Sequence, residues 1–170
     1  MVESFIKIEN NFFDQDTFKK LNSEIESYEY KPPTSELLQN NGGCYWFQKN
    51  ISGSDLQNHI INIIQKRTNL KINKQKKCIS KFIMSNAQDG ARPHVDHGNE
   101  MQCLIYIKGD EILNNGTMFL DKRESSYDIH THVGFKENRA IIFSSNNFHS
   151  PAQFLGGTWR YCIANFFCLL

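Results

Sequence analysis

The sequence predicts a mainly β fold: a double-stranded β-helix (jelly roll) with N-terminal helices packed on one sheet. Three observations predict it. From Cys78 onward, short apolar runs alternate with turn residues at regular intervals, the pattern of an all-β barrel or sandwich. Ahead of Cys78, two stretches space their apolar residues three and four apart, the period of an amphipathic helix. The third is an order of residues: His94 and Asp96 beside one strand, His149 about 55 residues later after an apolar strand, and Arg160 on the strand that follows. A chain of 170 residues suits one domain, 1–170, with room for a sizeable core. Within it, 1–77 would support the sheet and 78–170 would form the jelly roll.

Taken in order, residues 4–13 open with Phe5-Ile6-Lys7-Ile8, whose alternation predicts a short strand. Asp14 is the expected N-cap of a helix running through Phe18, Leu21, Ile25 and Tyr28. Pro32-Pro33 ends that region, because proline donates no hydrogen bond and restricts the residue before it. Residues 34–54 are mostly polar, with turn chemistry at Asn40-Asn41-Gly42-Gly43. Inside them, Cys44-Tyr45-Trp46-Phe47 reads either as a segment anchored to the core or as a substrate-facing aromatic patch. Ser54 or Asp55 caps a second helix whose apolar face is Leu56, Ile60, Ile63 and Ile64.

The predicted strands of the core are 79–85, 102–107, 117–120, 130–134, 140–144, 149–153 and 158–167. Asp89-Gly90, Lys108-Gly109-Asp110, Asn114-Asn115-Gly116, Lys136-Glu137-Asn138 and Gly156-Gly157 punctuate them. Internal repeats, low-complexity tracts and a domain linker are all absent from the sequence.

Composition narrows the function classes. A net charge of +1 argues against a generic polyanion binder. Lys66, Arg67, Lys71, Lys74, Lys76, Lys77 and Lys81 cluster, reading as a solvated helix end and loop, with a patch for a polyanionic substrate such as nucleic acid as the minority reading. No apolar run approaches the roughly 18–20 residues of a membrane span. The N-terminus, Met1-Val2-Glu3-Ser4-Phe5, lacks the basic-then-apolar layout of a secretory signal. Five cysteines at wide spacings, with no CxxC pair, give no support to a zinc ribbon and read as reduced thiols of a cytoplasmic protein.

The chemistry sits in Pro93-His94-Val95-Asp96. On a strand, residues two apart share a face, so an imidazole and a carboxylate converge. That is two thirds of a 2-His-1-carboxylate face for non-haem Fe(II), and His149 is the expected third ligand. Arg160 is placed to grip a carboxylate-bearing co-substrate.

Four segments carry a resemblance. Pro93-His94-Val95-Asp96 looks like a proximal ligand motif. Leu104-Ile105-Tyr106-Ile107 with Asn115-Gly116-Thr117-Met118-Phe119 resembles a characteristic strand pair. Asn138-Arg139-Ala140-Ile141-Ile142-Phe143 leads to His149, and Arg160 lies in Trp159-Arg160-Tyr161. Together they resemble the 2-oxoglutarate/Fe(II)-dependent dioxygenases, most closely the prolyl-4-hydroxylase-type branch, over a little more than half of the chain. The resemblance implies a hydroxylase that couples oxidative decarboxylation of 2-oxoglutarate, to succinate and CO2, with hydroxylation of a C–H bond. Fe(II), 2-oxoglutarate and O2 would be its cofactor and co-substrates, and His94, Asp96 and His149 its metal ligands. Arg160 would hold the far carboxylate of 2-oxoglutarate, with Tyr106 donating a hydrogen bond to it. Asp96 in place of a small residue favours hydroxylation over halogenation.

The substrate implied is a peptide, an amino acid or a small molecule. The alternative is a cupin-like metal-binding or sensing module without turnover; a structural jelly roll with fortuitous histidines is a third reading. One departure stands out. Where many members carry a tyrosine before the ligand motif, this chain has Met84, Ser85 and Ala91, with Asn86 and Gln88 as substitutes for gripping the metal-proximal end of 2-oxoglutarate.

Other residues read more plainly. His97 is expected outside the ligand set, His59 on a helix surface, and His130 with His132 as strand histidines rather than a second metal site. Arg92 reads as solvated or as a substrate contact. Thr158 and Cys162 alternate onto the face of Arg160. The loops 33–54 and 121–127 are the expected lids.

Overall fold

The computed structural model describes residues 5–32, 45–86, 93–152 and 159–170. Two antiparallel sheets face each other, with two helices on the outside of the larger one. The strands are β1 (Ile6–Glu9), β2 (Tyr45–Asn50), β3 (Ile79–Asn86), β4 (Met101–Lys108), β5 (Thr117–Lys122), β6 (Tyr127–Val133), β7 (Ala140–Ser144), β8 (Phe148–Pro151) and β9 (Arg160–Phe167). The helices are α1 (Gln15–Glu24), which tightens into a 3-10 turn at Ile25–Ser27, and α2 (Asp55–Thr68). The larger sheet runs β1-β7-β4-β9-β3-β2 and the smaller β6-β5-β8. This is the predicted jelly roll. No described helix is long and apolar enough to cross a membrane.

The helices start where their capping residues place them. Asp14 accepts the Thr17 amide at 2.9 Å, and Ser54 accepts the Gln57 amide at 3.2 Å. Both satisfy donors that a helix cannot satisfy internally. Asn69 closes α2 in the left-handed conformation at φ 59°. Leu21 and Ile25 from α1 with its 3-10 turn, and Ile60, Ile61 and Ile64 from α2, pack against the outer face of β4 and β9, where Cys103, Ile105, Ile107 and Ile163 are buried.

The inner faces form a second cluster, with Leu104, Tyr106, Phe119, Phe143 and Ala164. Strand β4 is therefore covered on both faces, which explains its unbroken apolar run Cys103-Leu104-Ile105-Tyr106-Ile107. Asn138, at φ 58°, fastens the N-terminal segment to the roll: its side chain accepts the Phe13 amide at 2.8 Å and donates to the Phe13 carbonyl at 3.0 Å.

Several boundaries differ from expectation. The strand expected at 130–134 begins at Tyr127, so 121–127 is the tip of a β5–β6 hairpin, and none of its residues lines the main cavity. The segment around His94 is not a regular strand: His94 alone forms a β-bridge, to His149. Of the expected lid 33–54, residues 33–44 lie outside the described ones, as do Gln88, Asp89-Gly90, Ala91, Arg92 and Gly156-Gly157. Tyr45–Asn50 is strand β2.

Candidate metal centre

His149 lies on β8, which pairs with β5 and places Phe119 opposite it. His94 and His149 exchange backbone hydrogen bonds, His94 N–H to His149 O at 3.0 Å and His149 N–H to His94 O at 2.9 Å. Their rings lie 4.5 Å apart. Asp96 is not held by a strand. Its amide donates instead to the Ser145 carbonyl at 3.2 Å, at the end of β7, and this turns its carboxylate towards the histidines. Asp96 Oδ2 and His149 Nε2 are 3.2 Å apart.

The three ligand atoms all lie within 4.8 Å of one another. An ion with bonds of roughly 2.0–2.2 Å spans neighbouring donors about 3–4 Å apart, so the set is a short adjustment from a three-point metal face.

The electrostatics suit a cation. Burial acts to raise the Asp96 carboxyl, but the hydrogen bond from His149 and the nearby charges of His149, His94 and His97 outweigh it, and the group stays below the ordinary carboxylate value. His149 is 5% exposed, with Phe143 edge-on to its ring at 4.9 Å. Its Nδ1 lies 3.0 Å from the Asn147 carbonyl, which accepts when Nδ1 carries the proton; that tautomer leaves Nε2 as the ligand atom.

A cavity of about 580 Å³ opens beside these residues. Thr117, Pro151 and Arg160 line one part of it, and Trp46, Gln48, Lys81, Ile83 and Ser85 the wall made by β2 and β3. Arg160 is buried, with Nη1 donating to the Asn115 and Gly116 carbonyls at 2.8 and 2.7 Å. Ser85 pairs with Arg160 across β3 and β9, and its Oγ is buried without a hydrogen-bond partner among the described residues.

Tyr106 sits one layer deeper than expected. It is fully buried, its hydroxyl is 2.7 Å from that of Thr117, and Thr117 rather than Tyr106 reaches the cavity. Burial pushes the Tyr106 phenol well above its ordinary value, against the opposing pull of Arg160 and Thr117, so it stays protonated. Cys162 is likewise buried in the inner cluster and does not line the cavity. Thr158 lies outside the described residues.

Solved structures of similar shape share this arrangement of strands. A prolyl-4-hydroxylase from Pseudomonas putida superposes with a TM-score of 0.63 at 12% identity, covering 97% of this chain and 92% of its own. A 2OG-Fe(II) oxygenase family oxidoreductase from Burkholderia pseudomallei does so at 0.62 and 10% identity, covering 98% and 85%. The fold is that of the 2OG-Fe(II) oxygenases. A Trichoplax adhaerens prolyl hydroxylase, solved with a hypoxia inducible factor peptide fragment, matches at 0.60 and 18% identity, covering 95% and 82%. No protein-family model matches the sequence, and no curated protein does. Among the described residues of this oxygenase fold, His94, Asp96 and His149 are the one group of three or more His, Cys, Asp or Glu that could hold a metal. His130 and His132 gather no such partners, and His59 is exposed against Phe13.

His97 lines the cavity, which its expected place outside the ligand set did not require. Trp46 also lines it, whereas Phe47 packs against the exposed Trp159 with ring centres 6.0 Å apart and belongs to neither core cluster. Gln48 and Gln102 are polar cavity residues that sequence reasoning passed over, and Lys81 was read only as the end of the lysine cluster. Strand alternation from Ser85 back through Ile83 to Lys81 was the available signal.

Proposed function

We propose that this protein is a 2-oxoglutarate- and Fe(II)-dependent oxygenase, most simply a hydroxylase of a peptidyl, amino-acid or other small substrate. The observation that carries the reading is that His94, Asp96, His149 and Arg160 all line one cavity. Fe(II), when bound, supplies the O2 chemistry. His94, Asp96 and His149 would hold the ion through three protein ligands.

Arg160 binds the far carboxylate of 2-oxoglutarate through a charge-assisted contact. The Asn115 and Gly116 carbonyls fix the direction of its guanidinium beforehand. Thr117 offers a hydroxyl beside it, and Tyr106 orients that hydroxyl from behind. Ser85, with its buried Oγ on the cavity wall, would offer the co-substrate a second polar contact. An arginine buried in the metal cavity favours an oxygenase over a bare metal-binding module, which has no use for it.

The lysine-rich segment supports a nucleic-acid substrate poorly: Lys66, Lys71, Lys74 and Lys77 are solvent-exposed, and Arg67 is occupied by Glu9 and by backbone carbonyls of Asn10 and Asn11.

The test is succinate formation from 2-oxoglutarate with Fe(II) and O2, beside Asp96→Ala and Arg160→Ala. Turnover that both substitutions abolish is the expected result. Equal turnover in wild type and Asp96→Ala removes the assignment of the iron face.

A further inference from the structure

We propose that the primary substrate carries an anionic group, a carboxylate or a phosphate, and that Lys81 receives it. The proposal rests on the oxygenase reading and names the substrate chemistry of the same cavity. Lys81 belongs to the inner face of β3 with Ile83 and Ser85, while its neighbours Ser80 and Phe82 are buried against the helix side. It is half-buried in the cavity wall, unlike the exposed lysines that precede it. Among the described residues no carboxylate lies within ion-pair distance of it.

A count of charges across the cavity leaves Lys81 over. Among the described residues the lining contains one carboxylate, Asp96, which the metal would take, and two permanent cations, Arg160 and Lys81. 2-Oxoglutarate brings two carboxylates, one for the metal and one for Arg160. None remains for Lys81. The two cations also stem from well-separated points of the cavity wall. Arg160 pairs with Ser85 and Lys81 with Ala164, a separation of four residues along β3 and β9, or roughly 13 Å at about 3.3 Å per residue. A cation kept partly out of water gains from a charged partner that arrives with the substrate.

The rest of the wall fits a substrate that is polar at one end. Gln48 pairs with Ile83 on the neighbouring strand and lines the cavity beside Lys81, and Trp46 offers an aromatic surface two residues further on. Gln102, 5% exposed, presents a buried Oε1 with no partner among the described residues, a second polar group awaiting a ligand.

The experiment uses the full chain loaded with Mn(II) and 2-oxoglutarate for binding, and with Fe(II) for turnover. The probes are free amino acids, other small carboxylates and phosphomonoesters, each paired with its neutral amide or methyl ester. Calorimetry reads binding, and succinate released above the substrate-free rate reads turnover. Acids are expected to bind and to stimulate about tenfold or more better than their neutral partners. The carboxylate and phosphate arms identify which anion is used. Lys81→Gln should erase the preference for acids, and Lys81→Arg should keep most of it.

Neutral partners that match the acids, a Lys81→Gln protein that still discriminates, or a panel in which no anion binds would each overturn the proposal. The dissociation constant for 2-oxoglutarate is read separately: it should move in Arg160→Ala and stay in Lys81→Gln. Loss of 2-oxoglutarate binding in wild type would instead overturn the oxygenase reading itself.

Discussion

The Gly116 carbonyl accepts a hydrogen bond from Arg160 Nη1 at 2.7 Å, and Gly116 can sit there only because it lacks a side chain. A Cβ at this position would lie 2.0 Å from the Val133 carbonyl oxygen and 2.8 Å from Gly134 Cα, both backbone atoms. Gly116→Ala must therefore push β5 away from β6 and carry the carbonyl with it. Overpacking of this kind costs about 1–3 kcal/mol. We expect a lower denaturation midpoint together with weaker 2-oxoglutarate binding by the Mn(II)-loaded protein. Unchanged binding would mean that Gly116 does not position Arg160.

Substitution at the metal face should separate affinity from folding. His149→Ala removes a ligand atom and leaves a small cavity against Phe143 and Phe119. Divalent-metal binding, followed by calorimetry with Mn(II), should fall by at least tenfold, while the far-ultraviolet spectrum of the β fold persists. Asp96→Asn, which keeps the shape and removes the charge, should weaken the metal with little change in stability.

Tyr106 and Thr117 act as a pair if the tyrosine works through the threonine. Tyr106→Phe deletes one side of a buried hydrogen bond and should cost about 1 kcal/mol of stability. Thr117→Val should raise the KM for 2-oxoglutarate. Thr117→Val should also cost stability, and in the double variant the two stability losses should fall short of their sum, since both remove the same hydrogen bond. Full additivity would mean that Tyr106 does not act through Thr117.

How much of this site was legible before any coordinates follows from what each residue depends on. The convergence of His94, Asp96, His149 and Arg160 on one cavity could be foreseen because three short segments carry them in an informative order along the chain. The way Asp96 is aimed could not. It depends on a hydrogen bond to Ser145, a residue far away in sequence, and not on the strand alternation that the spacing suggested. Tyr106 was recognisable as a polar group near Arg160, but its depth follows from a sheet covered on both faces. The wall holding Trp46, Gln48 and Lys81 exists only because β2 and β3 are neighbours at the sheet edge, and nothing in either segment states that pairing. The cap at Asp14 was legible in full and that of the second helix to within one residue, Ser54 or Asp55, because capping is a local matter.

Asp14 also gives a pH signature. Its carboxylate is held below the ordinary value, first by the Thr17 amide and then by the Thr17 hydroxyl. A carboxyl lowered in the folded state stabilises above its unfolded value of about 3.9, and that contribution fades as pH falls through the folded value. Asp14→Asn keeps a capping oxygen but does not titrate. The gap in melting temperature between wild type and this variant should be constant near neutrality and should close in acid. A gap that stays constant down to pH 2 would remove the assignment.

Two main-chain hydrogen bonds clasp the residues that carry both imidazoles, and neither needs an ion to form. Demetallation by a chelator should therefore leave the ligand cradle standing, unlike a zinc finger, whose chain unravels once its ion is taken. Reloading would then be a matter of diffusion and dehydration rather than of refolding. The shape of the site would then outlast the ion it holds.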